Sequence, residues 1–405
     1  MRNIICICLF FLLGACASTT MAHLDDAQKN LNNSKFETTT SDIENQNNLD
    51  LLLNGIALFH DNKFTASDSV FEEFNKRKLH ETSSSVSREA TGLLLGGGVN
   101  SYKPYMMDSL FVSYYQIWDL LALADWSNAR VVINQSYARQ QNMSIEYQKL
   151  IEKNKAKIAE HTQYQELVDK NITDWAAFSD IMNPALMYLS GIYFLNDGDF
   201  DNAITYLKRA NGMMPENTFI KQDMELAQKH IKPKHVKWQF IDTGFAPRLR
   251  EKNAGLFLPN IGMVYFSISE PYLNNNFSKP PHAQMLADVD AMFITEYREY
   301  QINEAIRSFT SAASKATLQA TMYNSHSNSA PLLGILSSVY TVASSNTDVR
   351  TWATLPKYIY VIRDENLNNL YDDAKISDEI KGDANYLIYT RIFNNKNDTK
   401  IIKLK

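Results

Sequence analysis

Residues 184–217 read PALMYLSGIYFLNDGDFDNAITYLKRANGMMPEN. The stretch divides into two apolar-periodic segments, Pro184–Leu195 and Asp199–Met213. Each has the spacing of one helix. Gly191 is the small residue expected where the two helices cross, and Gly198 supports the turn between them. Phe200 fills the space under that turn, and Ala203 permits close approach of the second helix. Leu207 and Ala210 continue the inner face, and Pro215 ends the unit. A helical hairpin is therefore expected over 184–217.

Its spacing resembles the tetratricopeptide pattern. Gly55, Leu58, Phe64, Phe71 and Phe74 form a weaker copy. Leu120, Trp126, Ala129, Ile133 and Ser136 form a third, with Ile117 in place of the small crossing residue. The remaining helices expected here are Leu49–Phe59, Phe64–Leu79, Ser83–Gly98, Pro104 to about Ala124, Ser127 toward Ile158, and 217–230 before Pro233. Residues 161–180, with Trp175, read as a linking segment. Stacked hairpins present broad faces, so protein binding is the function that the pattern suggests.

The texture changes near His235. Strands are expected within 236–247, 258–273, 355–364, 384–393 and 399–405, from alternation such as Val264, Phe266, Ile268. Residues 290–320 and the apolar run 332–343 read as helices, and 274–281 as a loop. The fold class is thus α+β and mainly helical. A TPR-like helical-hairpin array over 49–232 precedes a mixed α/β domain over 233–405.

The N-terminus speaks to location. Arg2, the apolar run 4–13 and Leu12-Leu13-Gly14-Ala15-Cys16 look like a bacterial lipoprotein signal over 1–15, with Cys16 as the lipidated residue. Acyl chains on Cys16 imply a membrane anchor. Ala17, rather than Asp, favours the outer membrane, with the folded part in the periplasm. Residues 17–48 are polar and read, with Cys16, as a flexible tether. The chain of 405 residues has 40 basic and 45 acidic side chains, which argues against nonspecific nucleic-acid binding. All three cysteines precede residue 17, so the body of the chain has no disulfide.

No catalytic constellation emerges, and neither metal nor cofactor is expected. HExxH, GxSxG and the phosphate-binding loop are missing from the sequence. His230 and His235 lack a zinc spacing, and Gly96–Gly98 reads as a turn. Asp288 and Asp290 are placed on one side of a strand. Glu304, Arg307 and Lys315 read as a solvated helix face or a supporting ion pair, with burial of Glu304 as the exception to watch for. Tyr114, Tyr115 and Trp118 either anchor a partner in a groove or fill a seam between repeat helices. Asp348 and Arg350 are expected to pair or to cap the start of the next strand, and Trp352 to pack at a sheet–helix junction, with a ligand or partner contact as the other reading.

Over 49–365 the order of features resembles a family of bacterial lipoproteins in which tetratricopeptide-like repeats precede an α/β part. Asp348, Arg350, Trp352, Leu355 and Pro356 match that family's Asp-Thr-Arg-Ser-Trp-like stretch and Leu-Pro, whereas Val349 and Thr351 differ from its small hydroxyl pattern. Tyr102, Tyr105, Tyr114 and Tyr115 are similar to its tyrosine-rich helix entrance, with Asp108 in place of the usual Glu. The resemblance implies fold and location and transfers no catalytic residue. The expected function is an outer-membrane-anchored adaptor that binds an envelope protein. The alternative is an envelope enzyme or glycan-binding protein with a cleft between the two domains.

Overall fold

The computed structural model describes residues 24–36, 43–81, 102–172, 182–259, 261–273, 278–323, 347–367, 369–372, 376, 378–380, 382–394 and 396–405. Cys16, residues 83–98, Trp175 and the run 332–343 lie outside them.

The helices in chain order are α1 (24–32), α2 (Asn48–His60), α3 (Phe64–Glu81), α4 (Met106–Ala122), α5 (Trp126–Glu160), α6 (Thr162–Asn171), α7 (Pro184–Asp197), α8 (Phe200–Met213), α9 (Thr218–Gln228) and α10 (Val289–Tyr323). Side-chain caps set several of their starts. Asn47 accepts from the amides of Leu49 and Asp50, Asn183 from Leu186, Asp199 from Asn202, and Asn217 from Phe219 and Ile220. Gly198 ends α7 with φ of 86°, a left-handed conformation that suits glycine.

The helices pack as antiparallel pairs, α2 with α3, α4 with α5 and α7 with α8. Glycines permit two of these crossings. A Cβ on Gly191 would lie 2.6 Å from the Leu207 side chain, and one on Gly55 would lie 2.5 Å from the Phe71 ring. Within each pair the first helix is buried on nearly every side, whereas the second is amphipathic. The reason is a second layer of structure.

That layer is a five-stranded sheet, in spatial order β4 (Gln284–Asp288), β5 (Tyr358–Asp364), β1 (Lys237–Thr243), β6 (Tyr386–Ile392) and β7 (Asn397–Lys403). Neighbours are antiparallel except β1 and β6, which run parallel. Alternation sorts the side chains by face. Trp238, Phe240, Ile359, Val361, Leu387 and Tyr389 join the helical core. Ile241, Tyr360, Ile362, Tyr386 and Ile388 form a smaller core with Leu370, Ile376 and Ile380 from the connection after β5. A separate ribbon, β2 (Arg248–Leu258) with β3 (Gly262–Tyr272), packs with α6 and the later part of α10 around Leu256, Phe266, Ile302 and Phe309.

Four expectations change. The switch from helix to strand does fall near His235, but one apolar core runs from Leu24 through α2, α4 and α7 to Trp238, Tyr389 and Leu404. The two parts therefore share a core, and the boundary is a change of secondary structure. The stretch 16–48 is not wholly a tether, because α1 docks through Leu24 and Leu31 while Arg248 bonds Asp25 and Gln28. The segment 161–180 contains α6, whose one buried side chain, Leu167, left too little periodicity to read. Strands β2 and β4 were not anticipated, since charged residues 250–252 interrupt the first and the second is only 5 residues long.

Candidate functional site

The polar groups that attract attention converge where α10 passes the start of α4. Glu296 lies on α10 in step with its apolar stripe, three residues after Phe293 and seven after Val289. Its side chain is fully buried. One carboxylate oxygen accepts from the amide of Met106 and the other from that of Met107, at 2.9 Å. These amides open α4 and have no partner within the helix, so Glu296 acts as a cap supplied by a distant element.

Asp108 serves the same helix end from within. Its carboxylate accepts from the Tyr102 hydroxyl at 2.7 Å and from the Tyr105 amide at 2.9 Å. Lys78 of α3 reaches this end too, donating to the Ser109 hydroxyl at 2.5 Å and more loosely to the Tyr105 carbonyl at 3.4 Å. Arg139 of α5 donates to the Ser113 hydroxyl at 2.8 Å. The Tyr105 ring meets Phe293, Tyr297 and Tyr300 edge-on, at centroid distances of 5.3, 6.1 and 5.6 Å. Helices α3, α5 and α10 are thus tied to the N-terminal part of α4.

Glu304, two turns farther along α10, is held differently. It accepts from the Ser269 hydroxyl at 2.9 Å and from that of Thr347 at 3.3 Å. Gln301 donates to the Ser269 carbonyl at 2.6 Å, and Tyr297 donates to the same carbonyl at 3.1 Å. Asp348 adds negative charge nearby while pairing with Arg350 at 2.6 Å.

Burial sets the protonation of these acids. It raises Glu296 to about 7, with Asp108 adding to the rise while the two amides and Lys78 oppose it. Glu304 rises to about 7 through burial and the charge of Asp348, against its bonds to Ser269 and Thr347. Asp108 rises to about 6 through burial, against Tyr102, the Tyr105 amide and Lys78. Burial lowers Lys78 while Glu296 and Asp108 raise it. Such groups can exchange protons near neutral pH. In this arrangement they join α3, α4, α10, β3 and the start of the 347–352 segment.

The residues singled out from sequence are distributed as follows. Tyr114, Tyr115 and Trp118 are buried on α4 and face the sheet. Trp118 meets Phe240 at 5.4 Å and Tyr389 at 5.5 Å, while Tyr115 donates to Asp242 at 3.2 Å. They fill the seam between helices and sheet, and Tyr115 also packs between neighbouring hairpins, against Phe59 at 5.2 Å and Phe71 at 6.4 Å. Phe59 on Tyr389 at 5.0 Å and Tyr188 on Phe240 at 5.8 Å extend the same packing. Side chains therefore fill this part of the junction between helices and sheet. Trp352 is buried there as well, against Phe71 and Tyr115, and Asp348 pairs with Arg350 as expected.

Asp288 and Asp290 do not share a strand face. Asp288 ends β4 and accepts from the Ala291 amide, whereas Asp290 lies in the first turn of α10 and pairs with Lys357. His230 stacks on Phe200, and exposed His235 faces Asp383. Among the described residues no group of three or more His, Cys, Asp or Glu is placed to hold a metal ion. A cavity of about 320 Å³ lies between α1 and α2, lined in part by Asp26, Asn30, Lys35, Gln46 and Asn54.

From sequence, Glu304 reads as a solvated helix face or a supporting ion pair, with burial as the exception, and Glu296 carries no expectation. The available signal was a carboxylate in register with an apolar helical stripe, flanked by Tyr297 and Tyr300. Among the described residues no helix is long and apolar enough to cross a membrane. Comparison with family models, curated proteins and solved structures finds no match.

Proposed function

We propose that the chain is a bacterial lipoprotein, held at the outer membrane by acyl chains on Cys16, whose folded part serves in the periplasm as a scaffold for an envelope protein. The anchor reading rests on the sequence from Arg2 to Cys16. The scaffold reading rests on the hairpins, whose Gly191, Gly198, Ala203, Leu207 and Ala210 follow tetratricopeptide spacing. It also draws on the matches at Asp348, Arg350, Trp352, Leu355 and Pro356 to lipoproteins of that type.

One observation shapes this proposal. The first helices α2, α4 and α7, which line the inner face of such an array, are covered by the chain's own sheet. A partner is left with the outward second helices. Of these α5 is the longest, at 35 residues, and Val131 and Ile145 stand exposed on it. The acids near α4 then serve to hold the platform together.

Photo-crosslinkers placed at Val131 and Ile145 in intact cells test the scaffold. A discrete adduct from these positions, missing when the probe replaces buried Ile133, is the expected result. Equal yields from all three positions, or none, would overturn it. Mass analysis of the mature N-terminus tests the anchor separately, with a triacylated or diacylated Cys16 as the expected species.

A further inference from the structure

The β2–β3 ribbon is apolar on both faces toward its tip. One face carries Ala254, Leu256, Leu258, Val264, Phe266 and Ile268 into the core shared with α6 and α10. The other presents Phe257, Met263 and Tyr265, exposed by 61 %, 49 % and 62 %. These three side chains adjoin. Phe257 is directly opposite Met263, and Tyr265 is opposite Gly255. A Cβ on Gly255 would lie 3.0 Å from the end of Met263 and 3.3 Å from the Tyr265 ring, so both side chains lie across the bare glycine. A continuous aromatic and thioether surface results. A sheet face turned toward water is ordinarily polar, and clustered apolar exposure marks a contact surface.

The position of the chain's anchor end supplies the occupant. Leu24 is buried, and Asp25 pairs with Arg248 at the root of the ribbon. Leu24 lies eight positions after Cys16, a span of at most about 29 Å when fully extended. The ribbon runs about 34 Å from Arg248 to Leu258 at the rise of a β-strand. A lipid on Cys16 therefore holds the bilayer within one ribbon length of the ribbon's root.

We propose that Phe257, Met263 and Tyr265 form a membrane-contacting face that rests in the headgroup region of the bilayer holding Cys16. This inference depends on the anchor reading above. Tyrosine suits that depth, with an apolar ring and a polar tip. Arg250 and Lys252 are both engaged by Glu270. Both lie in phase with Leu256, on the opposite face from Phe257, so the three uncharged side chains decide the probe, and zwitterionic phosphatidylcholine suffices.

Conversion of Cys16 to a thioether would leave the mature chain without a free thiol, which makes single nitroxide labels clean. The full-length lipidated protein carrying Met263→Cys or, as a control on α5, Ile145→Cys is labelled and reconstituted in phosphatidylcholine vesicles. Flotation with the vesicles tests the anchor. In the floated sample, the label at 263 should lose collisions with a water-soluble nickel chelate severalfold and gain collisions with oxygen, while the label at 145 stays aqueous. Flotation with an aqueous label at 263 would overturn the membrane face and leave the anchor intact. Failure to float would overturn both. Spin–spin broadening at 263 in detergent without vesicles would assign the face to a second copy of the chain and overturn the membrane reading. Circular dichroism identical to the unsubstituted protein establishes that each labelled variant is folded.

Discussion

Helix α4 is held in two ways that contrast sharply. Along its length Tyr114, Tyr115 and Trp118 lie against Phe240, Tyr389 and Trp352, and burial of aromatic area dominates. At its start, buried Asp108 and Glu296 accept from four donors, three of them backbone amides. The first contact is broad and rests mainly on area, with Asp242 at its edge, which burial raises to about 6, and Asp119 on the same helix, which burial also raises. The second is narrow, directional and titratable. A helix can thus be glued to a sheet by area while its terminus is fixed by a few charges brought from far away in sequence.

The largest effect is expected from the aromatic side. Trp118→Ala removes a side chain that is 1 % exposed, at the centre of the helix–sheet seam. Loss of a buried aromatic with incomplete collapse costs about 3–5 kcal/mol. Urea unfolding checks this. A loss below about 1 kcal/mol would mean that the seam repacks freely and that the contrast drawn above is wrong.

The contrast also separates what was legible in the sequence from what was not. The α7–α8 hairpin was readable because Gly191, Gly198 and Ala203 carry local geometric requirements. Strands β1, β3, β5 and β6 were readable from alternation that the two cores then use. Tyr114, Tyr115 and Trp118 announced burial, but nothing local specified a sheet 120 or more positions later as the covering surface, as the Trp118–Phe240 contact requires. The polar end of α4 was least legible. Glu296 bonds main-chain amides of Met106 and Met107, and a backbone N–H leaves no residue-type signal to match against a distant carboxylate.

A smaller effect, with a different signature, is expected at that polar end. Glu296→Ala leaves two amides at the start of α4 without their acceptor, a loss of about 1–3 kcal/mol for each that water does not reach. Glu296→Gln keeps one acceptor and removes the titration. The folded-state value, about 7, lies above the ordinary 4.5. The folded protein therefore binds more protons than the unfolded chain between these values. The associated stability is fully present below about pH 4.5 and is lost as pH rises through about 7. His60 works in the opposite direction, since burial lowers it to about 4 despite its bond to Asp398. Its stabilising contribution is present above pH 6.5 and is lost as pH falls toward about 4. Urea midpoints measured from pH 4 to 8 should fall less steeply toward neutrality in Glu296→Gln than in the unsubstituted protein. In Trp118→Ala they should be lower throughout with an unchanged slope. Parallel curves for Glu296→Gln and the unsubstituted protein would place the titration elsewhere.

The smallest effect concerns the neighbour of Glu304. The Asp348–Arg350 pair is partly exposed, so Asp348→Asn should change stability by no more than about 1 kcal/mol. Its charge nevertheless contributes, after burial, to raising Glu304 to about 7. Neutralising it should move the Glu304 titration toward the ordinary carboxylate value while Glu296, governed by burial, two amides, Asp108 and Lys78, keeps its own. Carboxyl carbon shifts followed by NMR resolve the two groups. A downward move at Glu304 alone would show that the two ends of this polar seam respond to separate neighbours. Equal movement at both would show one coupled network, in which case the N-terminus of α4 senses the 347–352 segment through α10.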